Sequence, residues 1–598
     1  MLRRIGLLAA IISIGVGALG RVAQSADAGP LALSSLRRVN IPYATTAEEL
    51  QFAETAIFWL GRVNYTENYA DVRMAYTSTD LYVRVQIFDR RLWFNEDPSS
   101  SPLTSWDSVS LYLDKDGNTG SVPDASSYRF DAQFSGWGPR TDWQAAYRGQ
   151  SGNWAVLNQS FVTYNELKWE NATEGGANND QNNRGWWLEY WLPWAAVGLA
   201  GPPTAGSQWG LGVAVHDRDV AYPGAMTVDQ IWPESMQPLQ PSTWGQVRFG
   251  QPAYSPPMNL PRDTVTIRHG LNGAQVIDGT AGGDTDCGAG SYPDYFAGWG
   301  ALTYPGVTRV NVQNQSDVSD WPCYSKYYVT FPLDSVPANK IIISATLTLY
   351  QMGNPGGGVW GDPVPSYIQI FTIDQAWNEA TLNWNNAPRA RENIVGAWVD
   401  PLAEYPGYPG IPRTWTLDRA VAEAYAAGVP LRLAVYSADE AYHSGRYFFS
   451  SDVEEFNEVG RPTLTIKWGD QPAGIKKSVQ PTHSLVGERV TYTLAFVGAG
   501  GALTLTDDLP VSVSAPGAIQ TIGGGAAAYN SPAHRVTWTG APAAGSAVTV
   551  TFPVTVLAAS STAITNVASL AAGTAGTFTA TAVLIANGVS VWLPVILR

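Results

Sequence analysis

The chain has 598 residues, of which 15% are charged, and a formal net charge of −15. An acidic chain without a basic run does not fit nucleic acid or an anionic membrane surface as a partner. The 5 histidines are scattered, and no metalloprotease, serine-hydrolase or phosphate-loop motif occurs. The sequence therefore argues against an enzyme, and a neutral glycan is the easier polymer for such a chain to approach.

Residues 1–28 have the features of an export signal. Arg3 and Arg4 precede an apolar run, residues 5–19, that is too short to cross a bilayer of about 30 Å, and residues 26–28 fit a cleavage site. An uncleaved anchor is the alternative. We expect a secreted, extracellular protein with no transmembrane segment once the signal is removed; attachment to the cell surface is a further hypothesis.

Short alternating apolar runs, such as residues 81–87 and 463–468, predict an all-β protein. One helix is predicted at residues 418–427, with Thr416 as a candidate cap. Of the 24 tryptophans, 14 precede Pro252 and only 2 follow residue 470. This shift in composition predicts three tandem β-sandwich modules of jelly-roll or Ig-like type. Their expected bounds are residues 35–250, 262–468 and 475–585, with a proline-rich linker at 251–261 and an apolar tail at 586–598.

The first module carries a specific combination of motifs. They are Asp107-Ser108-Val109 leading to Leu113-Asp114, Tyr128-Arg129-Phe130, Glu189 to Pro193-Trp194, and Trp244-Gly245. In this combination the module resembles the family 9 carbohydrate-binding modules. The resemblance implies a β-sandwich in which two aromatic side chains clamp a sugar, and it places Arg129 at a sugar-contacting position. The acidic residue that this family often has after Asp107 is absent, and Ser110 occupies that strand.

We therefore predict a carbohydrate site formed by Trp106 and Trp232 as the clamp, with Arg129 donating hydrogen bonds to sugar hydroxyls. An indole offers a flat apolar face to a sugar ring. The same residue type is a common core filler, so burial of both tryptophans is the alternative.

A calcium site is a separate hypothesis for the first module. Asp114, Asp116 and Asn118 place oxygen ligands at alternate positions around Gly117. Hard cations prefer carboxylate and amide oxygens. No EF-hand is expected, because the distal Glu and the flanking helices are missing. The alternative is a solvated Asp/Gly turn.

The second module contains both cysteines, Cys287 and Cys323, and one disulfide is the simplest interpretation in an exported chain. Three stretches, residues 327–350, 376–388 and 448–466, make the module resemble the secreted DNRLRE domains. For the polar loop at Trp377 and Trp384 we expect a structural role, with Asn378, Asn385 and Asn386 satisfying local backbone groups.

The third module has few charges and alternating strands, such as residues 490–496. Residues 503–509 and 564–570 resemble the DUF11 repeats of bacterial surface proteins, which implies a spacer. The best hypothesis for the whole chain is an exported bacterial protein that binds a polysaccharide or other glycan without cleaving it. A purely structural envelope or matrix protein, and a non-catalytic accessory of a polysaccharide-degrading system, are the alternatives. The sequence does not identify the oligomeric state.

Overall fold

The computed structural model describes residues 36–117, 120–135, 140–159, 161–169, 176–220, 228–256, 261–283, 294–338, 340–357, 361–442, 444–470, 474–498, 501–543, 545–573 and 576–588. The predicted export signal, Asn118, Cys287 and the end of the tail lie outside these residues. Within them, no helix is both long and apolar enough to cross a bilayer. Most elements are β-strands, which confirms the all-β prediction.

Thirteen strands build the first sandwich. They are β1 Arg38–Ile41, β2 Ala56–Gly61, β3 Tyr69–Tyr76, β4 Asp80–Phe88, β5 Ser108–Asp114, β6 Ser127–Gln133, β7 Gln144–Gln150, β8 Asn153–Val156, β9 Val162–Trp169, β10 Asn183–Pro193, β11 Gln208–His216, β12 Gln230–Trp232 and β13 Gly245–Phe249. One sheet has the order β2-β3-β4-β10-β9. The facing sheet has the order β1-β13-β11-β5-β6-β7-β8, with β12 beside β11.

The second sandwich is built from β14 Asp263–Arg268, β15 Ile277–Gly282, β16 Arg309–Val312, β17 Ser325–Phe331, β18 Lys340–Gly353, β19 Ser366–Thr372, β20 Glu392–Val399, β21 Ile411–Thr416, β22 Leu431–Ser437, β23 Arg446–Phe449 and β24 Thr463–Asp470. It also contains α1 Tyr295–Gly298 and α2 Asp418–Ala426. Sheet β15-β17-β22-β19-β20 faces sheet β14-β24-β18-β23-β16, in which β21 pairs with β18. The predicted helix is confirmed as α2, but the prediction of its N-terminal cap is wrong. Leu417 precedes the helix and makes no side-chain cap, so Thr416 does not cap it.

The third sandwich has its own core. Its strands are β25 Ile475–Gln480, β26 His483–Ser484, β27 Arg489–Val497, β28 Leu503–Asp508, β29 Gln520–Ile522, β30 Ala526–Asn530, β31 Arg535–Gly540, β32 Ala547–Thr555, β33 Thr562–Ala571 and β34 Thr577–Ala586. Sheet β25-β27-β32-β29 packs on sheet β26-β34-β33-β28-β31-β30. Alternating side chains of both sheets fill the core between them.

The first two sandwiches share a continuous sheet. Strand β1 pairs in parallel with β13 on one side and meets β20 of the second sandwich on the other, where Arg38 is opposite Glu392. The Asn40 amide donates to the backbone oxygen of Asn393 (2.7 Å), and the Asn393 amide donates to that of Asn40 (2.8 Å). These two reciprocal hydrogen bonds fix the two sandwiches against each other, since both amides are buried.

A shared apolar core lies between the two sandwiches. In sheet β2-β3-β4-β10-β9, strands β2, β3 and β4 are covered on both faces, so their alternate residues enter different cores. Phe58 of β2 belongs to the core of the first sandwich, whereas its neighbour Trp59 packs against Phe371 and Tyr436 of the second. Every residue of β3 is buried for this reason. The two sandwiches therefore form one body of four stacked β-layers.

Polar side chains of β3 are buried in this shared core. Asp71 accepts hydrogen bonds from the Tyr69 hydroxyl (2.6 Å), the Tyr436 hydroxyl (2.8 Å) and the Asn314 amide (3.0 Å). Two of these donors, Tyr436 and Asn314, belong to the second sandwich. A buried carboxylate is costly without such partners. Asp71 of the first sandwich therefore needs the hydrogen-bond donors of the second sandwich.

The buried Lys326 of the second sandwich completes this cluster. Its ammonium donates to the Tyr69 hydroxyl and lies over the rings of Trp384 (3.5 Å), Tyr436 (4.8 Å) and Trp59 (4.5 Å). Burial lowers the pKa of Lys326 well below its usual value, against the charge of Asp71. An aromatic cage of this kind stabilises a cation through the negative faces of the rings.

Because of this shared core, we predict that residues 36–250 do not form a soluble domain by themselves. The truncation would expose Trp59, Tyr69 and Phe88, and Asp71 would lose its Tyr436 and Asn314 donors. A chain of residues 36–470 is the matched control, since it keeps both halves of the interface. Size-exclusion chromatography is expected to show aggregation of the shorter chain and a monodisperse peak for the longer one. A monodisperse, folded 36–250 fragment would contradict the shared core.

A second prediction concerns Asp278 of β15, which is fully buried and accepts from the Tyr327 hydroxyl (2.7 Å) and from the backbone and hydroxyl of Ser451 (2.7 and 2.6 Å). Burial nevertheless raises the pKa of Asp278 to about 7. The folded state then holds a proton that the unfolded state releases near pH 4, so this carboxyl makes the protein less stable as pH rises from 4 to 7, by on the order of 4 kcal/mol.

We expect Asp278→Asn to reduce the loss of stability between pH 4 and pH 7. Chemical unfolding at pH 4.5 and pH 8, followed by tryptophan fluorescence, measures the free energy of unfolding of both proteins at the two pH values. The variant is expected to lose less stability than the unmodified protein between these conditions, whereas parallel pH profiles would show that Asp278 does not carry the effect.

Candidate functional site

The outer face of the first sandwich is polar where its inner face is apolar. In β5, Val109 and Leu111 point into the core, while Ser108 and Ser110 point outward. The same alternation in the neighbouring strand β6 places Arg129 and Asp131 on the outer face, opposite Tyr112 and Ser110 of β5. The period-two geometry of strands therefore gathers the polar residues of β5, β6 and β11 into one surface.

A chain of hydrogen bonds crosses this surface. The Arg129 guanidinium contacts both oxygens of Asp131, through Nε at 2.7 Å and through a terminal nitrogen at 2.7 Å. The Ser110 hydroxyl donates to Asp131 (2.6 Å) and also contacts His216 Nε2 (2.8 Å). Ser110, Asp131 and His216 are buried, so Arg129 covers a prearranged polar floor.

The chain continues to Asp229, next to β12. Its carboxylate contacts His216 Nδ1 (2.8 Å) and the Arg218 guanidinium (2.9 Å). Burial favours the neutral acid, but His216 and Arg218 outweigh it and hold the pKa of Asp229 below its usual value. Ser110, His216 and Asp229 thus follow each other in the order of a hydrolase triad. Ser110 is fully buried and bonded to Asp131, so its hydroxyl has no open approach for a substrate.

Aromatic rings flank the exposed edge of Arg129. Its guanidinium lies 5.3 Å from the Tyr147 ring centre and 5.7 Å from that of Tyr112. Tyr147 is half-buried, and burial raises the pKa of its hydroxyl. Beyond Tyr112, the half-buried Trp154 stacks on Trp244, with ring centres 6.3 Å apart and planes 12° apart. The surface therefore combines flat rings with oriented hydrogen-bond donors.

The structure corrects one of the two tryptophans predicted to form the clamp. Trp106 is half-buried and donates from its indole nitrogen to Ser101 (2.8 Å), so part of its ring remains exposed. Trp232 is only 1% exposed and packs on Phe58 with ring centres 4.3 Å apart. Trp232 is therefore wrong as a clamp residue. The reason is strand parity, since β12 pairs Trp232 with the inward Val213 and leaves the half-buried Ile231 on the outer face.

Sequence reasoning missed Asp131, His216 and Asp229. Asp131 lies two residues after Arg129 on the same strand, and this spacing was a usable signal. It supplies a carboxylate beside the strand in which the family 9 resemblance expected one and Ser110 stands instead. His216 and Asp229 come from distant segments, and only the pairing of β11 with β5 and β12 brings them together.

The predicted calcium loop lies at the other end of β5. Oxygen atoms of Asp114, Asp116 and Asp124 all lie within 4.8 Å of one another. Burial, followed by the charge of Asp116, raises the pKa of Asp114 to about 7. Asn118 is outside the described residues, and Asp124 is a third carboxylate that the sequence pattern did not include. Three converging carboxylates fit the oxygen preference of calcium.

A second carboxylate group, Asp89, Asp217 and Asp219, lies near the start of β5. Burial and the neighbouring Asp217 and Asp219 raise the pKa of Asp89 well above its usual value. Asp107 adjoins this group and accepts from the backbone nitrogens of Trp93 (2.6 Å) and Arg218 (2.7 Å). Asp107 therefore anchors two loops, which gives the Asp107 motif a structural role.

An open cleft lies where the two sandwiches meet. It has a volume of about 630 Å³, and Phe52, Trp398, Asp400 and Glu440 contribute to its walls. The Trp398 side chain is 43% exposed. Its indole nitrogen donates to Glu54 (2.8 Å). The cleft thus offers a fixed indole face next to carboxylates.

Tyr367 helps to hold Trp398 in place. Tyr367 contacts it edge-on, with ring centres 5.3 Å apart. The Tyr367 ring covers Gly396, where a Cβ atom would approach the ring to 2.3 Å. A side chain at residue 396 would push the Tyr367 ring aside, so strands β19 and β20 together position Trp398.

In the second sandwich, Cys323 is held in a disulfide, and Cys287 lies outside the described residues. In the polar loop at Trp377 and Trp384, Asn378 and Asn386 bond local backbone groups as expected, but the partners of Asn385 are distant. Asn385 accepts from the Val63 nitrogen (2.8 Å) and donates to the Val63 oxygen (3.0 Å), which ties the second sandwich to the first.

The chain is similar in structure to several known β-sandwich proteins, at low sequence identity. No family model matches the chain, and no curated protein matches it in sequence. A family 9 carbohydrate-binding module from Caldicellulosiruptor kristjanssonii, solved with cellotriose, is 16% identical, with 36% of this chain and 95% of that chain covered and a TM-score of 0.25.

Two further solved structures are similar at the same level. A candidate carbohydrate-binding protein from Bacteroides uniformis is 12% identical over 36% of this chain and 99% of that chain, with a TM-score of 0.26. The N-terminal domain of a Streptococcus gordonii adhesin is 9% identical over 92% and 93%, with a TM-score of 0.17. TM-scores this low carry no argument about a site. The DNRLRE and DUF11 resemblances stay predictions.

The carboxylate group of Asp114, Asp116 and Asp124 generates a prediction. We expect calcium added to chelator-treated protein to raise its melting temperature, because a cation relieves the repulsion among three close carboxylates. At about 100 times its Kd, a bound ion adds about 2.7 kcal/mol of stability. Scanning calorimetry with and without calcium measures the shift.

Asp124→Asn is expected to reduce this shift, while Asp263→Asn, at an exposed carboxyl of the second sandwich, is the matched control. An equal calcium response of the Asp124→Asn variant and the unmodified protein would place the ion elsewhere or nowhere.

Proposed function

We propose that this chain binds carbohydrate without cleaving it, through the polar outer face of the first sandwich. The observation that carries the proposal is that the Arg129 guanidinium is held in a fixed orientation and is still partly exposed. Both of its contacts with Asp131 hold the guanidinium in one orientation, and its side chain stays 21% exposed beside Tyr147. A donor that is already fixed loses little entropy when it binds a ligand.

This arrangement suits a neutral sugar. The guanidinium presents several N–H donors in fixed geometry, which matches neighbouring hydroxyls of a pyranose. Tyr147 offers a ring for the apolar C–H face of the same sugar, and Trp106 is a second ring near the start of β5. A β-linked glucan, whose rings expose flat apolar faces, is the first ligand to test.

The state of Ser110 supports binding rather than catalysis. A serine nucleophile needs an accessible hydroxyl and donors that stabilise the oxyanion. The Ser110 hydroxyl is buried beneath the surface and occupied by Asp131 and His216. We therefore assign the Ser110–His216–Asp229 chain the task of orienting Asp131, and through it Arg129.

The cleft at Trp398 is a second candidate location for the same function. Its exposed indole and the nearby Asp400 and Glu440 provide a stacking face and hydroxyl acceptors. Two sites on one rigid body would raise the avidity for a polymer that reaches both. Export, extracellular location and a structural calcium ion complete the proposal, and the third sandwich would serve as a spacer.

A glycan array with the full chain, followed by calorimetric titration of the best ligand, tests the proposal. We expect Tyr147→Ala and Arg129→Lys each to weaken binding about tenfold, because one loses the stacking face and the other the fork of donors. Tyr405→Ala, at an exposed tyrosine of the second sandwich, is the matched control and is expected to bind normally.

Trp398→Ala separates the two locations. A loss of binding in Trp398→Ala with normal binding in Tyr147→Ala would move the site to the cleft. Silence of the folded chain across the array would refute carbohydrate binding and favour the structural envelope or matrix protein. Binding only beside a polysaccharide-degrading enzyme would favour the accessory role.

A further inference from the structure

Three polar side chains meet in the core of the third sandwich, away from every site described above. Lys477 of β25 pairs in register with the inward Leu494, and Asp507 of β28 pairs with the inward Ala568. Lys477 Nζ lies 2.6 Å from Asp507 Oδ1, and both side chains are 0% exposed. Asn566, two residues before Ala568 on the same face of β33, is also fully buried.

The hydrogen bonding of this group is incomplete. Neither amide atom of Asn566 makes a hydrogen bond in the described part of the chain, nor does the second oxygen of Asp507. Each unsatisfied buried polar group costs about 1–3 kcal/mol. A spacer module has no need of such a cost, because apolar residues of similar size are often at least as stable as a buried ion pair.

Asn566 is nevertheless a close neighbour of the pair. Its amide lies near enough to influence both Asp507 and the Tyr492 hydroxyl, although neither contact reaches hydrogen-bond geometry. Lys477 Nζ also lies 5.1 Å from the centre of the Tyr492 ring. An amine, a carboxyl and a carboxamide thus share one dry compartment with an aromatic wall.

The dry compartment favours the neutral forms of the pair. Burial lowers the pKa of Lys477 to about 8 and raises the pKa of Asp507, with the opposite charges of the two groups acting against both shifts. Transfer of one proton from the ammonium to the carboxylate gives a free amine and a carboxylic acid. The free amine is a nucleophile, and the acid is a proton donor next to it.

We propose that Lys477 and Asn566 become joined by an intramolecular amide bond, with Asp507 as the proton relay. The neutral Nζ attacks Cγ of Asn566, and a new C–N bond forms. Asp507 passes a proton from Nζ to the amide nitrogen, the old C–N bond breaks, and ammonia leaves. The products are one secondary amide and one ammonia molecule, and Asp507 is regenerated without any oxidant or other reactant.

Asn566 is the acceptor because only Asp507 can serve as the relay. A bond between Lys477 and Asp507 would expel water and would consume the single carboxyl of the group. The carboxamide of Asn566 has no competing hydrogen bond to break in the described chain, so its carbonyl is open to the amine.

The bond would connect the two sheets of the sandwich. Lys477 belongs to sheet β25-β27-β32-β29, whereas Asn566 belongs to sheet β26-β34-β33-β28-β31-β30. It would tie the first strand of the module to the strand before its last. A covalent tie between sheets prevents them from separating and reduces the freedom of the unfolded chain, as a disulfide does. This tie fits a spacer that transmits force between its ends.

Intact mass spectrometry of the reduced full chain tests the proposal. We expect a mass lower than that of the sequence by one ammonia molecule, and a branched peptide that contains both Lys477 and Asn566 after proteolysis. Asp507→Asn keeps the shape of the side chain and removes the relay, and Lys477→Met removes the nucleophile. Each variant is expected to have the mass calculated from its own sequence, with no loss of ammonia.

Lys476→Met is the matched control, since it changes the adjacent exposed lysine of β25 and is expected to form the bond normally. Circular dichroism of each variant establishes that it is folded. If the folded protein without substitutions has the mass calculated from its sequence, with no loss of ammonia, the proposal is overturned. Loss of water with a Lys477–Asp507 peptide would overturn the choice of acceptor, and a bond formed in folded Asp507→Asn would overturn the relay.

Discussion

The organisation of the first two sandwiches depends on one sheet, β2-β3-β4-β10-β9, whose strands β2, β3 and β4 are buried on both faces. One face completes an ordinary sandwich core, and the other meets the second sandwich through aromatic rings around Lys326 and Asp71. Neither of these two polar side chains could remain in an apolar core without partners from the other sandwich. This reciprocal dependence, together with the hydrogen bonds between Asn40 and Asn393, makes two predicted modules into one body.

The shared core also determines which surfaces remain for binding. With strands β2, β3 and β4 of the first sandwich covered, the outer face of β5, β6, β7 and β11 remains open, and it carries Arg129 and Tyr147. The junction creates the second surface, because the segment of Phe52 meets the strand of Trp398 only when the sandwiches are docked. Both candidate sites therefore lie on a rigid frame, which favours binding through prearranged groups.

Particular residues show where sequence patterns failed. Trp232 lies in a strand of three residues, and so short a strand gives no alternation from which its inward direction could be read. Asn385 was expected to satisfy its own loop, but it binds the backbone of Val63 in the other sandwich. The polar positions of β3 resemble a solvated strand face, yet they are buried. In each case the deciding contact is distant in sequence, and local periodicity contains no information about it.

The sequence by itself determined the all-β class, the three groups of strands, a helix that begins at residue 418, and Arg129 and Asp114 as candidate site residues. These features follow from local alternation, turn residues and composition, which act over a few residues. The tertiary structure decided the burial of Trp232, the union of Arg129 with Asp131, His216 and Asp229, and the meeting of Lys477, Asp507 and Asn566. Those arrangements depend on strand pairing and sheet packing between distant segments, because only folding brings their side chains together.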